Sequence, residues 1–508
     1  MRRLSEIIAN IKILERHGVS DPGITGIEYD SRRVKPGNLF FALEGIHTNG
    51  HEYIDGAIEK GADVIIHSKP LKAYRKDVVY LLVENTRRSL SPAAGNFYDN
   101  PSEKLVIVGV TGTDGKSTTV SLIHQLLELS GEKAGFLSTV EYKSGMEILK
   151  NPYRQSTPEA PEINKILNEM YLSGKKYGVI EATSHGLSRI TNRLGDIIFD
   201  AGVFTNVTRE HLEFHGTIDR YRSDKVNLFR SLDNSFKKEN LNCSRFGVIN
   251  KDDPWADLFE KATGREVFSY SMKSKSADLF ALVKSLDICG SEFTLIDKSG
   301  KYNTKLNIPG AFNIENTMAA ILVVSILLNK KLKELAELLP ELRPIRGRMN
   351  HVKMGQAFSV IVDYAHTPGA FSKLFPIIKK QTKGKLISVF GSGGERDIGK
   401  RPIQGRIAAN FCNTIILTDE DPRGEDPRAI LEDIAAGCSC KEEGENLFLI
   451  PDRVEAIRKA FSLAGKEDTV ILLGKGHESS IIYSNACIPW DETAAAENCL
   501  IDMGFKGC

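Results

Sequence analysis

Gly112-Thr113-Asp114-Gly115-Lys116-Ser117-Thr118-Thr119 puts glycines, a lysine and a run of hydroxyls where an apolar stretch gives way to a helical pattern. Glycines at such a turn let backbone N–H groups close on phosphate oxygens, and the helix N-terminus adds positive partial charge. Lys116 can neutralise the outer phosphates of a nucleotide, and the Ser117 hydroxyl can ligate Mg²⁺. The run departs from the strict GxxxxGK[ST] pattern, since Val110 stands where its first glycine belongs and the nearest one is Gly109. The bland alternative is a Gly-rich turn followed by a solvated lysine. Strand, glycines, lysine and serine together favour nucleotide binding.

Downstream, Glu181 ends the apolar run Val179-Ile180 and is followed by Ala182-Thr183-Ser184-His185-Gly186. A carboxylate at the end of a buried strand beside a phosphate loop is where Mg²⁺ needs a direct or water-bridged ligand. Phe204-Thr205-Asn206-Val207-Thr208-Arg209-Glu210-His211-Leu212-Glu213-Phe214-His215-Gly216 gathers two histidines and two glutamates behind another strand. Either histidine alone reads as a surface or core residue. Lys225, in Tyr221-Arg222-Ser223-Asp224-Lys225, reads by itself as a solvated helix lysine.

The elements that must position these groups alternate strand, loop and helix. Short apolar runs at Leu39–Leu43, Val64–Ile66 and Val78–Val83 suggest a small α/β unit over residues 1–103. Asn100-Pro101-Ser102-Glu103 reads as a linker. Lys104–Val110, Tyr177–Ile180 and Ala201–Phe204 then predict a mainly parallel sheet over residues 104–342. Beyond Arg343-Pro344-Ile345-Arg346-Gly347-Arg348, four strands at Ser359–Val362, Lys385–Phe390, Thr414–Leu417 and Thr469–Leu473 predict a Rossmann-like domain over 343–508. The length of 508 residues fits about three domains at roughly 150 each.

Composition excludes whole classes. With 41% hydrophobic and 26% charged residues, the chain is neither disordered nor collagenous. A net charge of +1, from 67 basic and 66 acidic residues, gives no field for nucleic acid or an anionic membrane, so anionic ligands need local sites. Met1-Arg2-Arg3-Leu4-Ser5-Glu6 is not expected to be a secretory signal. Ala319–Leu328 is about half the roughly 20 residues of a membrane span and reads as a buried helix. The eight cysteines form no double CxxC, and Cys438-Ser439-Cys440 reads as reduced thiols in a cytoplasmic protein.

Five segments together resemble the Mur ligases, the ATP-dependent amide-forming enzymes of peptidoglycan synthesis. They are Thr111–Ser117, Thr205–His211, Gly310–Asn316, Gly347-Arg348-Met349 and Asp363-Tyr364-Ala365-His366-Thr367-Pro368. The resemblance spans all three expected domains. It implies that Thr111, Gly112, Thr113, Asp114, Gly115, Lys116, Ser117 and Thr118 grip ATP, with Asn316, Arg348, Asp363, His366 and Lys400. It also implies two Mg²⁺ ions held by Ser117, Glu181 and His211, and by Lys225 as a CO₂-derived carbamate. Lys116, Lys225 and His211 form the implied catalytic set. His215 and Glu213 keep their bland reading.

The N-terminal segments Asp30–Ala42 and His47-Thr48-Asn49-Gly50-His51 resemble the uridine-nucleotide domain of the muramyl-tripeptide synthetases within that family. Ser31, His47, Ser156, Thr157 and Ser184 are then implied contacts of UDP-N-acetylmuramoyl-L-alanyl-D-glutamate. The family carries an arginine a few residues after the Ser-His-Gly segment, which here is about two residues longer; Arg193 is the better match and Arg189 the alternative. Arg396 in Gly391–Pro402 and Glu478 in Gly474-Lys475-Gly476-His477-Glu478 are implied contacts of the incoming amino acid, with Gly474 beside them.

Acceptor identity turns on one segment. Members that add meso-diaminopimelate carry Asp-Asn-Pro-Arg, whereas this chain reads Glu420-Asp421-Pro422-Arg423. An amide can donate a hydrogen bond to a distal carboxylate, but an ionised Asp only accepts. L-lysine or L-ornithine is therefore expected ahead of meso-diaminopimelate, although Arg423 argues the other way. A monomer is expected. Two rivals remain: a folylpolyglutamate-type ligase, disfavoured by Asp30–Ala42, and a non-ligating P-loop ATPase, disfavoured by Asp363–Pro368 and Gly474–Glu478.

Overall fold

The computed structural model describes residues 1–508 apart from 46–47, 154, 209–214, 240–243, 288–289 and 507–508. His47 and His211 lie outside the described residues. Two compact units emerge: one of Met1–Val283, Phe293–Thr304 and Phe312–Pro340, the other of Lys284–Glu292, Lys305–Ala311 and Glu341–Cys508. Three principal sheets carry the chain, all α/β and largely parallel.

The first sheet orders its strands Ile13–His17, Val79–Val83, Ala62–His67, Asn38–Phe41 and Gly26–Glu28. All pairs are parallel except that of Ile13–His17 with Val79–Val83. Side chains alternate between faces along a strand, and here both faces are covered. Leu39, Phe41, Val64, Ile66 and Leu81 pack with Leu90 and Ala93 of the helix Thr86–Phe97. Phe40, Ile65 and Tyr80 pack on the other side with Ala57 and Ile58 of Ile54–Glu59. Burial on both faces is why these strands read as unbroken apolar runs.

The second sheet has eleven strands, with Ala134–Leu137, Tyr177–Glu181, Val106–Thr111, Ala201–Phe204, Phe246–Asn250 and Glu266–Ser271 as its consecutive parallel centre. From Val106–Thr111 the chain builds toward Ala134–Leu137, then crosses back to Ala201–Phe204 on the opposite side. The carboxyl end of Val106–Thr111 therefore lies at a change of winding direction, where open α/β sheets bind ligands. Strands Leu279–Asp287, Gly290–Asp297 and Gly300–Leu306 extend one edge, and Glu141–Lys143 with Leu149–Lys150 the other. The apolar helix Ala311–Leu328 is 67% buried within the protein, which makes it a core helix.

The second unit carries a six-stranded sheet in the order Asn350–Val352, Ser359–Asp363, Thr469–Leu473, Leu386–Phe390, Thr414–Leu417, Leu447–Leu449, parallel except at the first pair. Arg453, at the start of the helix Arg453–Leu463, is buried and pairs with buried Glu492 through Nε and Nη2 at 2.8 and 2.7 Å. The same guanidinium donates to the Asp419 carbonyl (2.9 Å) and the Leu473 carbonyl (2.7 Å). It thus ties together the carboxyl ends of two strands. Removing one partner of a buried ion pair typically costs about 3–5 kcal/mol. Arg453→Met should therefore lower the unfolding free energy measured by urea denaturation by about 3–5 kcal/mol, with the loss smaller in Arg453→Met/Glu492→Leu.

Candidate functional site: a phosphate loop and a charged strand-end cluster

In the first unit the phosphate loop is held from behind by the strand Ala201–Phe204 and the residues that follow it. Asn206 clamps Asp114 on both sides, accepting its N–H (3.0 Å) and donating to its carbonyl (3.1 Å). Thr205 Oγ1 donates to the same carbonyl (2.7 Å), and the Asn206 carbonyl accepts the Thr113 N–H (2.7 Å). Gly112 and Gly115 have φ of +149° and +84°; a Cβ would strike Thr205 Oγ1 at the first and Asn316 Oδ1 at the second. Glycine is required at both by backbone conformation and by close approach. Asn316 also accepts from Thr119 Oγ1 (3.3 Å), so the helix Ala311–Leu328 buttresses the loop.

Lys116 Nζ donates to the Thr113 carbonyl (2.7 Å) and lies 3.9 Å from Glu181 Oε1. Glu181 is buried at the carboxyl end of Tyr177–Glu181. Its Oε2 accepts from Ser117 Oγ (2.8 Å), Thr139 N–H (3.0 Å) and Thr139 Oγ1 (2.9 Å). A carboxylate beside a serine hydroxyl at a phosphate loop is a hard-oxygen donor set that suits Mg²⁺, which completes its shell with water and substrate phosphates.

Lys225, far from being solvated, is 1% exposed on the helix Ile218–Ser231, donates to the Gly112 carbonyl and lies 4.5 Å from the Tyr221 ring centroid. The Tyr221 hydroxyl meets Thr113 Oγ1 at 3.1 Å. His215 is buried too, bridging Asp224 Oδ2 and Ser184 Oγ at 3.0 Å each. It joins Ser184 to the Lys225 helix, a link that one histidine in a His/Glu-rich segment did not disclose.

The expected uridine-nucleotide contacts separate into different settings. Ser31 is half-buried in the turn after Gly26–Glu28. That turn is fastened by Tyr29 OH to Glu162 Oε1 (2.8 Å) and by Arg33 Nη1 to the same oxygen (3.3 Å). Burial raises the Glu162 carboxyl above its ordinary value. Ser156 is half-buried, whereas the Thr157 hydroxyl is buried, donating to the Glu181 carbonyl (2.9 Å) and accepting from Thr183. Arg193 pairs with Glu159 (3.0 Å) and donates to the Thr157 carbonyl (2.9 Å). Arg193 thus braces the Ser156-Thr157-Pro158 segment, and Arg189 is exposed.

In the second unit, Asp363 accepts the Met349 N–H (2.9 Å) and the Ala365 N–H (2.8 Å), which fixes the turn carrying Arg348. The Arg348 guanidinium lies 4.7 Å from the Tyr364 ring centroid, with the His366 and His477 rings at 4.6 and 4.5 Å. Lys400 Nζ and Gln404 Nε2 both donate to the His366 carbonyl. Tyr364 OH donates to Glu478 Oε1 (3.2 Å), linking this set to a second one. Burial, with Arg348, His366 and Lys475 nearby, holds His477 well below the ordinary imidazole value.

That second set gathers Glu420, Asp421, Gly474, Lys475 and Glu478 at the ends of Thr414–Leu417 and Thr469–Leu473. Lys475 Nζ contacts Asp421 Oδ1 (2.8 Å) and Glu478 Oε2. Gly474 has φ +95° and leaves room for the Glu420 carboxylate. Glu420 Oε2 and Arg423 Nε are buried and make no hydrogen bond among the described residues. Burial raises Glu478, and the Asp421 and Glu420 charges add to the rise against the pull of Lys475. Arg396 is exposed in the loop after Leu386–Phe390. Lys475 stands in the glycine-rich segment quoted above for Glu478 and was itself assigned no role there; it is fully buried at the strand end.

A phosphate loop with a strand-end carboxylate in one unit, and a Rossmann-like sheet bearing its own charged cluster in the other, define a nucleotide-dependent enzyme of the three-domain ligase plan. Family models match three stretches: "Mur ligase family, catalytic domain" over residues 23–98, "Mur ligase middle domain" over 110–324, and "Mur ligase, glutamate ligase domain" over 347–476. A UDP-N-acetylmuramyl-tripeptide synthetase of Treponema denticola is 47% identical over 98% of each chain. The chain belongs to the Mur ligase family, ATP-dependent ligases of peptidoglycan biosynthesis that join an amino acid to a UDP-muramoyl peptide. A UDP-N-acetylmuramoyl-L-alanyl-D-glutamate–2,6-diaminopimelate ligase of Clostridium tetani is 38% identical, covering 96% of this chain and 97% of its own. A solved structure with that same activity in its name superposes with a TM-score of 0.65 at 28% identity, covering 99% of both chains.

Lys116→Ala should reduce turnover by roughly 10²–10³, the usual loss when a positioned charge on the transferring group is removed. Steady-state phosphate release measures this; a variant within tenfold of wild type would show that another cation serves the role.

Proposed function

We propose that this ligase makes the muramyl tripeptide, joining a diamino acid to the D-glutamate of UDP-N-acetylmuramoyl-L-alanyl-D-glutamate at the expense of ATP. The γ-phosphate passes to the D-glutamate γ-carboxylate, giving an acyl phosphate and ADP. The acceptor's amine then attacks the acyl carbon, and inorganic phosphate leaves. Little covalent work falls to the protein; positioning and charge neutralisation carry the rate. Lys116 and the loop N–H groups are the proposed grip on the phosphates, with Arg348, His366 and Lys400 as further nucleotide contacts. Ser117, Glu181 and His211 are the residues proposed to hold Mg²⁺, with a carbamylated Lys225 proposed for a second ion; bound Mg²⁺ would supply charge neutralisation on the phosphates. Ser31, Ser156 and Ser184 remain the proposed polar contacts to the UDP-muramoyl dipeptide, with Arg193 and Thr157 shaping that site from beneath.

The observation that carries the acceptor reading is the gathering of three carboxylates at one pair of strand ends, Asp421 and Glu478 on the Lys475 ammonium and Glu420 against Gly474. Such a cluster favours a ligand with an extra positive charge, hence L-lysine or L-ornithine. The alternative, meso-diaminopimelate, draws on Arg423 and on the name of the Clostridium tetani relative. The T. denticola relative's name leaves its amino acid unspecified.

Phosphate release that requires both the UDP-muramoyl dipeptide and a diamino acid tests the reaction; basal hydrolysis indifferent to either would overturn it. For the acceptor, kcat/KM should favour lysine or ornithine over meso-diaminopimelate, and Asp421→Asn should shift the ratio toward meso-diaminopimelate by at least tenfold, about 1.4 kcal/mol. A wild-type preference for meso-diaminopimelate of that size would mean that Arg423 dominates. Lys225→Ala should cut turnover about 10²-fold or more while nucleotide affinity changes less than about threefold; turnover within tenfold of wild type would remove the carbamate from the mechanism.

A further inference from the structure

Asp224, His215 and Ser184 are all buried and stand in line. His215 Nδ1 lies 3.0 Å from Asp224 Oδ2, and His215 Nε2 lies 3.0 Å from Ser184 Oγ. A carboxylate offers only acceptors, so Nδ1 donates to Asp224 and Nε2 is left for the serine hydroxyl. The rings of His185 and Tyr221 both stand edge-on to the imidazole with centroids at 5.2 Å, which leaves it little room to turn.

The relay joins two elements that the sequence separates widely. Asp224 and Asn227 are three residues apart on the helix Ile218–Ser231 and so share a face. Asn227 Nδ2 donates to the Leu187 carbonyl at 3.0 Å. The short helix Ser184–Leu187 is therefore fastened to the longer one twice, at its first residue through His215 and at its last through Asn227. From that longer helix Lys225 reaches the Gly112 carbonyl, and Tyr221 meets Thr113 Oγ1. One helix thus holds both the phosphate loop and the turn that carries Ser184.

We infer that His215 is a positioning residue for the UDP-muramoyl dipeptide: it fixes the Ser184 hydroxyl in one rotamer, in register with the phosphate loop. This rests on Ser184 as a contact of that substrate, proposed above, and adds what aims it. A serine hydroxyl left to itself samples three staggered positions, and a ligand must then select one of them. With the imidazole occupying one of its hydrogen-bonding directions, the hydroxyl meets the substrate already oriented. The benefit belongs to the dipeptide and not to ATP.

The test uses the full-length enzyme with His215→Asn, His215→Gln, Ser184→Ala and His215→Asn/Ser184→Ala, with KM and kcat measured for ATP and the UDP-muramoyl dipeptide. An Asn amide stands near the place of Nδ1 and can keep the Asp224 bond alone, whereas a Gln amide reaches the place of Nε2 and can still meet Ser184. His215→Asn should raise KM for the dipeptide about tenfold, the size of one hydrogen bond, with KM for ATP within about threefold of wild type. His215→Gln should restore the dipeptide KM to within about threefold. The double variant should match Ser184→Ala to within about threefold, whereas two independent losses would multiply to about a hundredfold. If His215→Asn does not fold, Asp224→Ala, which releases the ring from its other side, carries the same comparison. Equal losses in the Asn and Gln variants, or losses that multiply with Ser184→Ala, would overturn the inference, since the ring would then serve packing alone. A Ser184→Ala enzyme with an unchanged dipeptide KM would instead overturn Ser184 as a substrate contact, and the role of His215 with it.

Discussion

Charge brought to the carboxyl ends of parallel strands must find a partner before it can be buried, and the Arg453–Glu492 pair is where this protein meets that demand most completely. The guanidinium satisfies a buried carboxylate and, with its remaining N–H groups, the carbonyls of Asp419 and Leu473. Those two carbonyls begin the loops that carry Glu420, Asp421 and Gly474 to Glu478. Without that brace, two strand ends would each present an unsatisfied acceptor beside a cluster of like charges. The brace satisfies the two strand-end carbonyls next to which the carboxylates of the acceptor cluster are gathered.

The same logic recurs at the phosphate loop with neutral groups. Glu181 is buried, and its Oε2 is occupied by a hydroxyl from Ser117 and by both the hydroxyl and the amide of Thr139. One sheet thus sets a buried, fully hydrogen-bonded carboxylate oxygen beside Lys116, while the other sets two carboxylates on Lys475.

Much of this was legible in the sequence, and the boundary of legibility has physical causes. Strands such as Ala201–Phe204, Thr414–Leu417 and Thr469–Leu473 stand where their apolar runs predict, because central strands buried on both faces leave no polar interruption. The edge strands Ile13–His17 and Leu447–Leu449 are exposed or irregular in pattern and gave no such signal. Lys225 illustrates the limit of single-residue reasoning: its helix is polar enough to look solvated, yet the phosphate loop and Tyr221 cover the ammonium. Asn206, His215 and Lys475 act through partners distant in the chain, and spacing alone does not reveal which backbone group or carboxylate each will meet. Asp421, the residue on which acceptor choice was argued, is neither solvated nor alone, since Lys475 shares its charge.

The clamp that Asn206 places on Asp114 has a thermodynamic consequence. A side-chain amide that both accepts the N–H and donates to the carbonyl of one loop residue freezes that residue's orientation within the protein itself. The Gly-rich loop, which by composition should be the most mobile stretch of its sheet, is thereby ordered by folding. Nucleotide binding then carries little of the ordering entropy that a floppy loop would exact. The conformational freedom that glycine confers on the unfolded chain has been surrendered once, during folding, and need not be surrendered again at every catalytic cycle.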